Sequence, residues 1–420
     1  MSITLSSLSS PSVPLRLQAD DVIARLKRLQ ALEIQSTRLL GGWLPGVATW
    51  EVKHEIGLHL WQDAQHSREL RTRLWELRIS NPDRTPDAGV ARLTQGLASA
   101  QEDYEFLSGL YLVFKTELVR AYRTMVAGTH GVYDAPTIAA IRRILPEKED
   151  QLAWAGQELK NLLDSGEKQR LAARWQEYIR RLLVQERGVT GAEPVGAGEE
   201  LVTLPPSYSC PLPFAQAKRD ARFKITLTSA SLPKDDDRDA KVLFQFFNYT
   251  QEMQAAETLG STLWEADGME WEFYYEIARH CYDEVRHSAL GEARLAQLGH
   301  HVSDFPNDTA NYAWRQLYDP LRRYCVLTHV IEADSFKYKH QTYQEHVKHE
   351  DMESAEAVLY DIMDETMHVR YGHKWTAKLM ERYQYPGPLE QLVAECREIL
   401  INHSINPLQR ASAEQAKRSS

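Results

Sequence analysis

Two stretches of the chain read Asp-Glu-x-x-His: Asp283-Glu284-Val285-Arg286-His287 and Asp364-Glu365-Thr366-Met367-His368. Both fall in long helical patterns of the C-terminal half. A helix places residues i and i+3 on one face, so the Glu and His of each motif point the same way. A carboxylate on a buried helix face is costly unless it is paired or binds a cation, which restricts what such a helix can pack against. Two helices of this kind facing each other can hold two metal ions between them. A four-helix arrangement then needs one further Glu from each of the two other helices.

One Glu-x-x-His means little. With 15 histidines in the chain, roughly one match arises by chance, and Glu51-Val52-Lys53-His54 is read as that match. The other two stand out through their partners. Glu252 precedes Glu284 by 32 residues and Glu332 precedes Glu365 by 33. Antiparallel helices joined by short loops would put each pair at the same height. Glu252 follows the apolar run Val242–Tyr249, and Glu332 follows Val326-Leu327-Thr328-His329-Val330-Ile331. Glu257 is the rival of Glu252, but it lies five residues on, about 140° around the helix. The expected metal ligands are therefore Glu252, Glu284, His287, Glu332, Glu365 and His368. Glu284 and Glu365 are expected between the ions, Glu252 and Glu332 as terminal carboxylates, and one histidine on each ion. Mixed carboxylate and imidazole donors suit two iron ions, or manganese, rather than a thiolate metal.

Helical periodicity dominates the whole chain, so the expected fold is all-α. In the first half it marks segments near 18–40, 50–78, 90–127, 135–164 and 167–187, separated by Gly41-Gly42, Asn81-Pro82-Asp83, Gly128 with Gly131, and Ser165-Gly166. Residues 189–238 read as an irregular linker with Gly191, Gly196, Gly198, several prolines and the run Lys234-Asp235-Asp236-Asp237, and Phe223–Thr228 is a candidate strand. Helices resume over 239–266, 268–299, 309–348, 351–383 and 387–403, and 404–420 reads as a flexible tail. The expected domains are a helical bundle over 1–188, the linker, and a metal-binding bundle over 239–403. The first half echoes the second: Asp63-Ala64-Gln65-His66 stands where a Glu-x-x-His would, Glu33 lies 30 residues before it, and Glu117 lies 30 before Glu147. Glu147-Lys148-Glu149-Asp150 lacks the histidine. A duplicated bundle whose N-terminal copy has lost its metal site is the expectation.

The net charge of −10, with acids and bases interspersed, argues against a nucleic-acid-coating role. No apolar run is long enough to span a bilayer, and Met1-Ser2-Ile3-Thr4-Leu5 lacks the features of a secretion signal. Cys210, Cys281, Cys325 and Cys396 form no Cys-x-x-Cys pair and read as reduced thiols of a cytoplasmic protein.

The C-terminal half resembles a bacterial family of ferritin-like proteins catalogued as a domain of unknown function. The matching text includes Gln251-Glu252-Met253-Gln254-Ala255-Ala256-Glu257, Asp283–His287, Leu298-Gly299, Asp304-Phe305-Pro306, Val330-Ile331-Glu332-Ala333 and Asp364–Gly372. It covers roughly residues 240–383. The motif Asp-Glu-x-Arg-His is also similar to the signature of the multicomponent di-iron monooxygenases. Asp283–His287 meets it at every defined position, whereas the second motif carries Met367 where that signature has Arg. The resemblance implies a ferritin-like four-helix bundle, preceded here by the degenerate copy. It also implies that Asp283 and Asp364 accept hydrogen bonds from the imidazoles, while Arg286 balances the acidic cluster.

The leading functional expectation is an O2-activating oxidoreductase, a hydroxylase or N-oxygenase of a small-molecule or tRNA-linked substrate with O2 as co-substrate. An external reductase or ferredoxin would supply electrons, since no flavin or nicotinamide fingerprint is present. A homodimer is compatible with the N-terminal platform. Iron handling or peroxide scavenging is the alternative, and a helical scaffold with a vestigial site the third reading. Tyr249 and Tyr371 lie one turn from ligands and are read as aromatic packing.

Overall fold

The computed structural model describes residues 16–84, 88–194, 201–226, 237–404 and 407–419. The N-terminal pentapeptide, Gly196, Gly198, Leu227, Thr228 and the run from Lys234 to Asp236 lie outside the described residues. Among the described residues the chain is all-α. The candidate strand reduces to β1 (Ile225–Thr226), which pairs in parallel with β2 (Asn307–Asp308), two residues on each side.

The helices are α1 (Ala19–Trp43), α2 (Trp50–Glu76), α3 (Ala88–Ala98), α4 (Asp103–Leu107), α5 (Thr116–Gly128), α6 (Ala135–Leu162) and α7 (Gly166–Gln185). They continue with α8 (Arg238–Thr250), α9 (Met253–Glu265), α10 (Trp271–Gln297), α11 (Ala310–Arg315), α12 (Pro320–Cys325), α13 (Ala333–Lys348), α14 (Met352–Arg382), α15 (Leu389–His403) and α16 (Pro407–Ser419). A π segment, Ser108–Lys115, joins α4 to α5, and another, Val326–Glu332, joins α12 to α13. The chain forms two compact units. One comprises Met1–Glu33, His66–Leu97 and Tyr104–Pro205; the other comprises Ile34–Gln65, Ala98–Asp103 and Pro206–Ser420. These differ from the expected boundaries at 188 and 238, because the end of α1, the first part of α2 and the irregular segment from Pro206 belong with the C-terminal residues. Residues 404–420, expected as a flexible tail, include α16, which packs on α15 and buries Ala413.

In the first unit, α5 and α6 pack on each other and the π segment packs on α6 and α7. Its core holds charge: Lys148 Nζ donates to Glu33 Oε2 at 2.6 Å and Tyr122 Oη to Glu33 Oε1 at 2.7 Å. Lys115, the last residue of the π segment, donates to Gln151 Oε1 at 2.8 Å. All five side chains are buried. Glu117 and Glu147 face outward instead, Glu117 bonded to Arg120 and Glu147 to His66.

In the second unit four long helical runs pack in a ring. The α8–α9 run lies on α10, α10 on α14, α14 on the α12–α13 run, and α12 back on α9. Side-chain caps explain where three runs begin: Asp237 accepts from the first turn of α8, Asp319 from Arg322 N beside Pro320, and Asp351 from Ser354 N. The core between α8 and α10 is built from Val242, Phe246, Phe247, Tyr249 and Leu295. The two helices approach closely at Gly291, where a Cβ would lie 2.6 Å from Phe246 O and 2.7 Å from Thr250 N. Backbone atoms cannot rotate away, so a larger residue must push α8 off α10. Gly291→Val should therefore destabilise the metal-free protein by about 1–3 kcal/mol. Chemical denaturation measures this, and an unchanged midpoint would show that the helices do not depend on the close approach.

Candidate metal centre

α10 contributes His280, Glu284 and His287, at i, i+4 and i+7 on one helix face. α14 contributes Asp361, Glu365 and His368 at the same spacing. The two single glutamates sit at irregular points of their helices. Glu252 lies at the break between α8 and α9, where Glu252 N bonds back to Tyr249 O at 3.0 Å. Glu332 ends the π segment before α13. Such irregularities rotate one residue out of the regular helical face, and they recur at functional sites.

These residues converge into three groups whose donor atoms lie within 4.8 Å of one another: His280–Glu284–Glu332–His368, Glu252–Glu284–His287, and His287–Asp361–Glu365. Glu284 belongs to two groups. Its Oε1 lies 3.3 Å from His368 Nδ1 and 3.4 Å from His280 Nε2, while Oε2 lies 3.8 Å from His287 Nδ1. Glu365 Oε2 lies 3.5 Å from His368 Nδ1. Glu252 Oε2 lies 3.0 Å from His287 Nδ1, and Glu332 Oε1 lies 2.9 Å from His280 Nε2.

One buried atom on each of the six sequence-predicted ligands makes no hydrogen bond: Glu252 Oε2, Glu284 Oε1, His287 Nδ1, Glu332 Oε2, Glu365 Oε2 and His368 Nδ1. Five of the six meet one another only as carboxylate–imidazole ion contacts, Glu252 Oε2 with His287 Nδ1 and Glu284 Oε1 and Glu365 Oε2 with His368 Nδ1, and a cation held among them would satisfy all six. A donor set of carboxylate oxygens and imidazole nitrogens fits a divalent iron or manganese ion.

The outer nitrogens of the imidazoles are held crosswise. His287 Nε2 lies 3.3 Å from Asp364 Oδ2, and His368 Nε2 lies 3.4 Å from Asp283 Oδ2. Each aspartate thus supports the histidine of the opposite motif. Arg286 Nη1 donates to Asp283 Oδ1 at 2.6 Å and Asp364 Oδ2 at 3.1 Å, and Arg279 Nε donates to Asp283 Oδ2 at 2.8 Å. This arrangement leaves Nδ1 of both rings facing inward, and it ties the two motif helices together.

Sequence reasoning missed three members. His280 and Asp361 precede their motif glutamates by four residues, so extending the helical period one turn back would have found both. Lys339 is the third. Its buried ammonium donates to Asp361 Oδ1 at 2.7 Å and Glu365 Oε1 at 2.6 Å, and His287 Nδ1 lies 3.7 Å from the same Asp361 oxygen. Tyr249 Oη donates to Asp361 Oδ2 at 2.7 Å. Glu257 is buried away from the centre between Lys53 and Arg219. His329 and His373 pack edge to face on each other. Glu51 and His54 separate, Glu51 pairing with Arg222 and His54 lying 3.4 Å from Ser288 Oγ.

The electrostatics follow from these contacts. Burial opposes charge on His287 and His368. The surrounding carboxylates outweigh it, namely Asp364, Glu252 and Glu284 for His287 and Asp283, Glu284 and Glu365 for His368, and both rings are held well above the usual imidazole range. His280 is also raised, by Glu332 and Glu284 against burial and His368. Burial raises the Glu252 carboxyl to about 7 despite His287 and Lys339. Glu365 falls to about 2 because Lys339 and His368 outweigh its burial.

An all-α chain with a buried carboxylate–histidine centre is thus defined at the level of fold and site. The model of the family described as Protein of unknown function (DUF455) matches residues 201–419, just over half of the chain, and the chain belongs to that family. No curated protein and no solved structure matches the chain.

Two predictions arise from this electrostatic pattern. His280, His287, His368 and Glu252 have folded values raised above their unfolded ones, so their stabilising contribution is full at low pH and is lost as pH rises through the folded values. Glu284 and Glu365 are lowered and contribute above their unfolded value of about 4.5, losing that contribution as pH falls. The melting temperature of the metal-free protein should therefore fall between pH 6 and pH 9. Metal-loaded protein should not follow it, because ligation requires neutral imidazoles and ionised carboxylates. Calorimetry on both forms measures the divergence. Separately, Lys339→Met removes the ammonium from Asp361 and Glu365, and the second equivalent of Mn(II) should bind about tenfold more tightly. Isothermal titration reads this directly, and unchanged affinity would place Lys339 outside the metal's reach.

Proposed function

We propose that the C-terminal unit is a ferritin-like four-helix bundle holding a dinuclear iron, or iron–manganese, centre, and that the protein is an O2-activating oxidoreductase acting as a hydroxylase or N-oxygenase. The observation that carries the reading is the convergence of six buried donor atoms that make no hydrogen bond, from four helical runs. Glu284 and Glu365 would lie between the ions, with Glu332, His280 and His368 toward one ion and Glu252, Asp361 and His287 toward the other.

A cavity of about 450 Å³ favours an oxidoreductase over a storage or scavenging role. Its wall includes Glu252, Glu332, Glu365 and Lys339 at the centre, with Phe244 and Val330 supplying apolar surface. Polar side chains such as Gln245, Asn248, Lys337 and Gln341 share the wall with these apolar groups, so the cavity suits an organic substrate that carries polar groups as well as apolar surface. Bound iron would supply the reducing electrons for O2. The protein's own groups do the rest. Asp283 and Asp364 fix the imidazoles, Arg279 and Arg286 neutralise those aspartates, and Lys339 places positive charge where the cavity meets the carboxylates. Hydroxylation of substrate R–H consumes O2, two electrons and two protons and yields R–OH and water, so an external reductase or ferredoxin completes the cycle. The first unit reads as the same helical plan with lysines in place of metal.

The test is anaerobic Fe(II) loading followed by O2. Wild type should take up about two iron ions per chain and consume O2 on addition of a reductant. Glu284→Ala with Glu365→Ala should lose both properties while remaining helical by circular dichroism. Retention of two irons by the double variant, or no iron uptake by wild type, would overturn the reading.

A further inference from the structure

Arg315, at the end of α11, is buried, and the acids that offset its charge, Glu284, Glu332 and Asp308, all stay beyond ion-pair distance. Its guanidinium makes one long hydrogen bond, Nη1 to Thr258 Oγ1 at 3.4 Å, and lies 5.4 Å from the Trp314 ring. Its Nε has no hydrogen-bond partner, and among the described residues no carboxylate comes within ion-pair distance. A buried guanidinium that none of these acids touches keeps donors open to an anion at contact distance. Gln254 repeats the pattern. Its Oε1 accepts from Tyr312 N at 2.9 Å, while its buried Nε2 makes no well-aligned hydrogen bond, with Asp308 beside it.

Both residues line one small cavity of about 110 Å³. Glu252, Glu284, Glu332 and Glu365 line the same cavity. Without metal these carboxylates repel an anion. Two divalent ions held by them would reverse the charge of that part of the lining, and Arg315 and Gln254 would add donors to it. The fork of a guanidinium matches the two oxygens of a carboxylate. The volume admits a group the size of formate or acetate rather than a ring.

We propose that this cavity is a carboxylate-binding subsite, that Arg315 and Gln254 recognise the anion, and that binding requires the metal-loaded centre. The inference rests on the metal reading above and narrows it: the substrate, or a small acid acting with it, carries a carboxylate. Arg315 fixes that group beside the metals without ligating them. The large cavity shares Asn248, Glu252, Ile331, Glu332 and Glu365 with the small one, so an acid with an apolar chain has space for both ends.

The experiment uses Mn(II)-loaded full-length protein and the proton relaxation of formate, which paramagnetic Mn(II) enhances when formate binds close by. Wild type should show saturable enhancement, and metal-free protein should bind no formate when titrated calorimetrically. Arg315→Met should bind Mn(II) normally and lose formate affinity at least about tenfold. Arg315→Lys should recover part of it. Gln254→Glu keeps the acceptor for Tyr312 N–H and replaces the amide donor with a negative charge, so it should also lose formate, which guards against misfolding of the arginine variant. Hexanoate separates the two sources of the group: tighter binding than formate assigns the carboxylate to a larger substrate, and weaker binding assigns it to a free small acid. Undiminished formate binding by Arg315→Met and Gln254→Glu, or no binding by manganese-loaded wild type, would overturn the subsite. Failure of wild type to bind Mn(II) or Fe(II) would instead sink the metal reading beneath it.

Discussion

The second unit depends on how negative charge is held inside a ring of apolar helices. Glu252, Glu284, Glu332, Asp361 and Glu365 are five carboxylates, and among the described residues the ammonium of Lys339, on Asp361 and Glu365, is the one lysine or arginine cation bonded to them. Five acids less one ammonium leave four negative charges, which two divalent ions would balance. In the metal-free protein the raised proton affinity of three imidazoles and of the Glu252 carboxyl works toward the same balance. Protons and metal are thus alternatives for one electrostatic need, and burial makes the choice strict because neither can be replaced by water.

Geometry imposes a second demand. A regular helix presents i, i+4 and i+7 on one face, and α10 and α14 use that register for three donors each. The α8–α9 and α12–α13 runs each contribute one acid from a position where regular helix is interrupted. The interruption at Glu252 is a break and that at Glu332 is a π segment. In both cases the main-chain bonding pattern is altered next to the acid, which sets its direction independently of the packed faces on either side. The first unit carries a corresponding π segment ending at Lys115, and its core pairs Glu33 with Lys148. There Lys148 supplies positive charge directly to the buried carboxylate of Glu33.

Much of the centre was legible from spacing alone. The i, i+3 pairs and the equal intervals back to Glu252 and Glu332 depend only on helix geometry and loop length, which are local. His280 and Asp361 were equally legible, one turn before the motifs, but a three-residue window does not reach them. Lys339 was hidden for a different reason. An isolated lysine on a helix reads as solvated, and only the packing of α13 against α14 shows that its amine is buried. The crossed support of His287 by Asp364 and His368 by Asp283 is tertiary in origin, since each aspartate stands next to its own motif yet bonds across to the other. The unit boundaries were illegible for a related reason: they fall inside α1 and α2, where the helical pattern runs on without a break.

The crossed pairs also explain why the two motifs share Asp-Glu-x-x-His although their remaining letters differ. If each aspartate served its own histidine, the motifs would be independent, and a single copy would suffice for one metal. Across the α10–α14 interface, each motif supplies the outer support of the other, so neither histidine is fixed unless both helices are in place. Arg286 acts on both aspartates at once, and its counterpart position, Met367, is free to differ because one arginine already reaches both. The departure of the second motif from the Arg-containing pattern is therefore consistent with an intact centre, and a charge at position 367 would add a cation to an exposed face that the aspartates do not need.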